Sequence, residues 1–397
     1  MTDFRWTKSQ FYLPEGMIYL DGNSLGPLPH AAKHHVGASL TDQWGEMLIT
    51  GWNKAGWMDM PRRVGDRIAR ILGAANGSIV MGDTLSIKVY QALSSALELR
   101  PNRHVVLSDT GNFPSDLYIA EGLIKSLNRN YELRVVAPED VYDAIDDDVA
   151  VTLITEIDYR TGRRHDMNAI TERAHARGAI TVWDLAHSAG AVDVDLTVAN
   201  VDFAIGCTYK YRNGGPGAPA FIYVRPDLVD DVRPALAGWL GHAAPFDFEL
   251  NYRAGDGIDR LRVGTPPILG LVALDAALEV WDHVDIADVR ARSIELSTAF
   301  IEEVSAGCVA LKLASPSDPQ ARGSQVSYHF ENGYAAMQAM IDHQIIGDFR
   351  APNLMRFGFT PLYIDVDQVR EAARTLCDVI NLNLWDDPKY KTRQKVT

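Results

Sequence analysis

The chain has 397 residues, 47% apolar and 23% charged. This balance excludes a disordered or fibrous protein, and the length predicts two domains of unequal size over a large core. The formal net charge of -14 excludes nucleic acid or an anionic membrane as the main partner, because phosphate groups would be repelled. Three cysteines, Cys207, Cys308 and Cys377, lie far apart with no CxxC pair, which excludes a disulfide framework and a cysteine-rich zinc site and fits a reducing cytoplasm.

Residues Met1 to Trp6 carry Asp3 and Arg5 without an apolar stretch, and no later apolar run approaches the ~20 residues of a membrane span. Neither export nor membrane insertion is expected. His30, His34 and His35 include an i, i+4 pair, but no nearby Glu completes a zinc-protease pattern, so a solvated helix face is expected and no metal. From Ser78 to Val224 short apolar runs alternate with amphipathic stretches. Strands are predicted at 78–81, 104–107, 133–136, 149–155, 179–183 and 203–205, and helices at 85–99, 113–127 and 167–177. This alternation predicts a mainly parallel sheet covered on both faces. After Thr265-Pro266-Pro267 a long helix is predicted at 286–304 and strands at 309–313, 323–330 and 355–359. Helices near 334–343 and 366–382 complete a smaller α+β unit. The basic cluster Lys389, Lys391, Arg393, Lys395 reads as a solvated, frayed tail. Gly214-Gly215-Pro216-Gly217 is too short and misplaced for a nucleotide fingerprint.

The chemistry is carried by Trp183-Asp184-Leu185-Ala186-His187-Ser188-Ala189-Gly190 at a strand end, followed by Thr208-Tyr209-Lys210-Tyr211 and Asn213-Gly214-Gly215-Pro216-Gly217. A pyridoxal-phosphate (PLP) enzyme needs a lysine to hold the cofactor as a Schiff base and an acid to keep the pyridine nitrogen protonated. Asp184 and Lys210 supply that pair. Alone, Asp184 could cap a helix and Lys210 could be a surface lysine; their joint spacing and flanks favour the cofactor. Asp184 closes an apolar strand at the edge where ligands bind in open α/β sheets, and beside a pyridinium it would stay ionised. Lys210 falls on a glycine-rich loop after the next strand.

These segments resemble the kynureninase family of fold-type I PLP enzymes. The resemblance extends to Tyr19-Leu20-Asp21-Gly22-Asn23-Ser24-Leu25-Gly26-Pro27, Asp83-Thr84-Leu85-Ser86-Ile87, Phe113-Pro114-Ser115-Asp116, Trp239-Leu240-Gly241-His242, Gly264-Thr265-Pro266-Pro267, and Gly347 to Asn353 through Arg356. It implies an α/β fold-type I architecture with a mainly parallel seven-stranded large domain and a smaller α+β C-terminal domain. The expected division is an N-terminal segment, 1–45, packing with the small domain; a PLP-binding domain, 46–270; and the small domain, 271–397.

Each match implies a role. Leu85 and Ser86 open a helix whose free N–H groups and hydroxyl would take the phosphate, a routine N-cap being the lesser alternative. Phe113 would stack on the pyridine ring, where otherwise it would be a core aromatic. Pro114, Ser115, Asp116, Thr155 and His187 would surround the ring and its substituents. Tyr209 would reach the phosphate and could carry protons, although packing would explain it equally. Arg356 would clamp the substrate α-carboxylate, with Asn23 and Ser24 in the substrate segment. Trp52 stands where animal relatives carry a histidine near the aryl ring, implying the bacterial branch and kynurenine in preference to its 3-hydroxy form. Trp239 and Thr265 would come from the neighbouring subunit to the cofactor phosphate, implying a homodimer with shared sites. Arg212 stands where leucine is expected, which places the packing of that loop in doubt.

The reaction implied is hydrolysis of L-kynurenine to anthranilate and L-alanine in tryptophan breakdown and the pathway towards pyridine nucleotides. A cysteine desulfurase or selenocysteine lyase is the nearest alternative. It would need a nucleophilic cysteine on a mobile loop, whereas Cys308 and Cys377 read as buried and Cys207 as a packed strand-end residue. A non-catalytic PLP-binding protein would have lost Asp184, Lys210, Tyr209 or Arg356, all present here.

Overall fold

The computed structural model describes residues 1–392; Arg393 and Lys395 of the basic cluster lie outside the described residues. Within it, Lys389 pairs with Asp342 at 2.7 Å and Lys391 with Asp386 at 2.6 Å.

The large sheet has seven strands: β1 (Ile79–Met81), β2 (Val105–Asp109), β3 (Glu132–Val136), β4 (Val149–Thr155), β5 (Ile180–Asp184), β6 (Phe203–Gly206) and β7 (Phe221–Val224). Their spatial order is β1-β7-β6-β5-β4-β2-β3. Only β7 runs antiparallel to its neighbours, β1 and β6; the other pairings are parallel. Six of these strands follow the predicted runs closely. The seventh, β7, has no separate sequence signal.

The pleat sends alternate side chains to two cores. Ile79, Met81, Leu107, Trp183, Phe221 and Tyr223 enter one core, while Val80, Val106, Val182, Phe203, Ile205, Ile222 and Val224 enter the other. Burial on both faces explains why the strands read as unbroken apolar runs.

The longer helices are α1 (His30–Ala38), α2 (Met60–Ile71), α3 (Leu85–Glu98), α4 (Pro114–Leu127), α5 (Met167–Ala176), α6 (Ile268–Ala277), α7 (Ile286–Gly307), α8 (Gly333–Asp342) and α9 (Val366–Asn381). On α3, Val89, Ala92, Leu93 and Ala96 cover one sheet face, while Val64, Ile68 and Ala69 of α2 belong to the core on the other. His30, His34 and His35 lie on the exposed side of α1, and no metal-holding cluster of His, Cys, Asp or Glu occurs among the described residues.

The smaller sheet is antiparallel: β8 (Lys312–Leu313), β9 (Gln325–His329), β10 (Asp348–Arg350) and β11 (Leu354–Gly358), in the order β8-β9-β11-β10. The strand predicted at 309–313 shrinks to its last two residues. Helix α7 runs on to Gly307, and Val309 is 98% exposed, leaving only Lys312 and Leu313 to pair with β9. The N-terminal segment joins this unit: Ile18 and Tyr19 pair in parallel with Ile345 and Ile346, and the Gly358 N–H donates to Leu20 O at 2.7 Å. Among the described residues no helix is long and apolar enough to cross a membrane.

Candidate active site

The parallel strands of the large sheet deliver their carboxyl ends to one edge, the position at which open α/β sheets bind ligands. Thr155 ends β4, Asp184 ends β5, and the chain leaving β6 at Gly206 reaches Tyr209 and Lys210 within four residues. A cavity there is lined by Leu85, Ser86, Phe113, Ser115, Asp116, Thr155, Tyr159, Asp184, Ala186, His187, Tyr209 and Lys210. Eleven of these twelve side chains come from segments quoted from the sequence; Tyr159 does not.

Lys210 Nζ lies 3.0 Å from His187 Nε2. Burial, reinforced by the charges of Lys210, Arg356 and Arg350, holds the His187 pKa well below the usual histidine value. The neutral imidazole accepts from the lysine at Nε2, and its buried Nδ1 has no partner among the described residues. The Asp184 carboxylate accepts from the Ala186 N–H at 2.9 Å. Burial raises its pKa to about 6, opposed by the charge of Lys210, so it is ionised at neutral pH. Asp116 is pushed well above the usual carboxylate range by burial and then by Asp184. Its Oδ2 is buried and unpartnered among the described residues, and burial favours the neutral form. Tyr209 is held as the protonated phenol by Cys207 and by burial.

Two helices start at the cavity. Thr84 precedes α3 and Phe113 precedes α4, and neither N-terminus is capped by a side chain. Ser86 Oγ and Ser115 Oγ stand 3.3 Å apart between them. Uncapped N–H groups, the positive ends of two helix dipoles and two hydroxyls make a cradle for a phosphate dianion. Phe113 is 44% exposed and lines the cavity, so it is not a core aromatic. An ionised carboxylate, a lysine, an aromatic face and an anion cradle around one cavity match the ring nitrogen, aldehyde, ring face and phosphate of PLP.

The comparisons with known proteins agree with one family. The model of the kynureninase C-terminal domain matches residues 289–376. The kynureninase of Pseudomonas fluorescens is 47% identical, the match spanning 98% of this chain and 95% of that protein. The kynureninase of Burkholderia pseudomallei strain 1106a is 45% identical over the same shares. The chain belongs to the kynureninase family.

As a kynureninase-family enzyme it is a PLP-dependent hydrolase. Its fold is shared more widely. The cysteine desulfurase of Thermococcus onnurineus NA1 superposes with a TM-score of 0.80 at 17% identity, covering 95% of this chain and 98% of that one. A lyase structure described as a C-DES mutant with glycine covalently linked to its PLP cofactor gives 0.81 at 16%, covering 94% and 99%. At these identities the likeness concerns the fold alone. The desulfurase alternative finds no support in the thiols: Cys207, Cys308 and Cys377 are all buried, and burial raises the Cys207 and Cys377 thiols.

Pro114 opens α4 and does not line the cavity; the remaining expected residues fall in four places. Ser24 and Arg356 come together: Arg356 Nη2 donates to Ser24 Oγ at 3.1 Å and Nη1 to the Tyr159 carbonyl. Arg356 is 1% exposed and is gripped from its other edge by Asp348, with Nε to Oδ1 at 2.7 Å and Nη2 to Oδ2 at 2.6 Å. The Arg356–Asp348 ion pair is therefore buried. Asn23 is fully buried against Gly358, its amide 3.5 Å from Gln325 Oε1, and does not line the cavity. Trp52 packs edge-on to Trp57 at 5.7 Å, also outside the cavity lining. Trp239 and Thr265 are exposed and do not line the cavity of their own chain.

Two acids beside Arg356 sit inside quoted motifs without a role of their own read from the sequence. Asp348 faces Arg356 across the β10–β11 register. Asp21 is half-buried with a buried, unpartnered Oδ1, and burial and then Asp348 raise its pKa to about 7. A buried charge is costly unless paired, but nothing in the sequence marks Arg356 as buried, so neither acid carries a separate signal there.

Proposed function

We propose that the chain hydrolyses L-kynurenine to anthranilate and L-alanine, with Lys210 as the lysine that holds PLP. The carrying observation is Lys210 Nζ 3.0 Å from a neutral His187, in a cavity shared with ionised Asp184 and open to two uncapped helix starts.

PLP would be held by Asp184 at its ring nitrogen, Phe113 and Ala186 at its ring, and Leu85, Ser86 and Ser115 at its phosphate. When bound, it supplies an electron sink for the negative charge that develops on the substrate α- and β-carbons. Asp184 sustains that sink by remaining an anion above about pH 6. Asp116, kept neutral, offers a proton donor and not a second charge. Lys210 takes the substrate α-proton as a general base. The unprotonated Nε2 of His187 gives the ammonium form an acceptor at hydrogen-bond distance. Tyr209 keeps its phenolic proton through the physiological range and can deliver it during carbon–carbon cleavage.

Arg356 anchors the substrate carboxylate. Four of its N–H groups are already engaged by Asp348, Ser24 and the Tyr159 carbonyl, so a bidentate grip along the Nη1/Nη2 edge displaces Ser24 or Tyr159 O. Asp348 stays behind as the fixed counterion.

A homodimer with shared sites completes the proposal. Trp239, Phe246, Phe248 and Leu250 are 43%, 57%, 72% and 101% exposed, and Trp239 stacks with Phe248 at 6.4 Å. An exposed apolar cluster of this kind suits burial by a second copy, which would bring Trp239 and Thr265 to the partner's phosphate cradle. Light scattering on the holoenzyme checks this; a stable, active monomer refutes it.

The decisive experiment supplies purified protein with PLP and L-kynurenine, beside Lys210→Ala. Anthranilate fluorescence is expected with the parent only. PLP bound at Lys210 without anthranilate would preserve the cofactor assignment and overturn the substrate.

A further inference from the structure

Strand β4 ends at Thr155 and continues into a hairpin closed by Ile157 pairing with Arg164. The hairpin belongs to the large domain by chain order, yet the small domain holds its tip. Gln325 Nε2 donates to the carbonyls of Tyr159 at 2.9 Å and Arg160 at 3.2 Å. Ser327 Oγ donates to Arg160 O at 2.6 Å, Ser315 Oγ to Thr161 O at 2.5 Å and the Gly323 N–H to Gly162 O at 2.8 Å. Arg356 Nη1 adds its own bond to Tyr159 O. The side chain of Tyr159 faces the other way, lining the Lys210 cavity with its ring edge-on to Phe113 at 5.0 Å and 80°. Its hydroxyl makes no hydrogen bond among the described residues.

We propose that Tyr159 is a positioning residue: its carbonyl is fixed to the small domain through Arg356 and Gln325, while its ring fixes Phe113 against the cofactor. One residue thereby sets the distance between the carboxylate anchor and the cofactor-facing wall. The argument rests on the roles proposed above for Phe113 and Arg356. Phe113 needs such support because it is 44% exposed, and an edge-on aromatic neighbour restricts its ring before the cofactor arrives.

The test titrates apoenzyme with PLP, read by cofactor absorbance and protein fluorescence, so it does not require turnover. Tyr159→Phe retains the ring and should bind PLP within about twofold of the parent. Tyr159→Ala should weaken binding about 2- to 10-fold, the range of one aromatic pair. On a Phe113→Ala background the same substitution should cost nothing further. Tyr159→Leu keeps bulk without the ring and should behave as Tyr159→Ala, which separates ring contact from misfolding. Equal losses with and without Phe113, no loss in Tyr159→Ala, or a Tyr159→Phe variant as weak as Tyr159→Ala would each overturn the proposal. PLP binding with the predicted coupling but without kynurenine turnover would sink the substrate assignment and leave this inference standing.

Discussion

Arg212 is a buried charge without an ionic partner among the described residues, and replacing it with the leucine expected at that position should stabilise the protein. The side chain is 1% exposed, and Nε, Nη1 and Nη2 have no hydrogen-bond partner among the described residues. Burial alone pushes the guanidinium well below its usual pKa. Its one compensation is the face of Trp281, 4.4 Å from Cζ to the ring centroid. A desolvated stack of this kind returns about 2 kcal/mol, whereas burying an unpaired ion costs several kcal/mol. Leucine removes the ion and fills most of the space; a residual cavity of ~30 Å³ would subtract about 0.7 kcal/mol. The expected net gain for Arg212→Leu is about 1–4 kcal/mol, the range seen when buried charges give way to apolar groups. For a chain of 397 residues this corresponds to a rise in Tm of about 1–5 °C. Thermal unfolding of the parent and variant holoenzymes, at equal protein and PLP concentrations, reads the shift directly. A lower Tm for Arg212→Leu would refute the reasoning, since the guanidinium would then have an interaction stronger than its stack on Trp281.

Two further outcomes concern substrate capture and choice. Below about pH 7 Asp21 is neutral, so Arg356 and Arg350 face only Asp348 and the cluster carries one net positive charge. As Asp21 ionises the cluster becomes neutral, and KM for kynurenine should rise about 3- to 10-fold above pH 7. Asp21→Asn should flatten that limb of the KM profile, and an unchanged limb would remove Asp21 from the cause. Trp52 is proposed to favour kynurenine, so Trp52→His should move the ratio of kcat/KM values towards 3-hydroxykynurenine by about 3-fold or more, read with both substrates under one condition; an unchanged ratio would remove Trp52 from substrate choice.

The parts of this fold that were legible share a physical cause. Parallel strands buried on both faces must be apolar throughout, so Val149–Thr155 announces itself with its boundaries intact. Strand β7 is four residues long and follows a glycine-rich loop with no helix between, so the β-α rhythm gives no cue for it. Helix α6 is similarly hidden: it is apolar on nearly every side, with Leu271, Leu274 and Ala277 buried, and offers little amphipathic period to read. At the site, Asp184 and Lys210 were legible because cofactor chemistry requires both types near adjacent strand ends. The motif around Gly347 was recognisable too, yet the job of Asp348 was not. Its role depends on the cross-strand register that places it opposite Arg356, and register is a tertiary property.

That register also changes what the arginine can do. Arg356 read alone offers a free planar fork, the usual geometry for a substrate carboxylate. Folded, one edge of the fork is permanently matched by Asp348, which lies 2% exposed. This arrangement fixes the guanidinium plane and keeps the buried charge compensated. The exchangeable partners are confined to the opposite edge, where Ser24 belongs to the N-terminal segment and Tyr159 to the β4 hairpin. A substrate carboxylate held at Arg356, as proposed, would compete with two neutral acceptors and not with an anion. Its binding would reach both the N-terminal segment and the β4 hairpin, and through the Tyr159 ring Phe113.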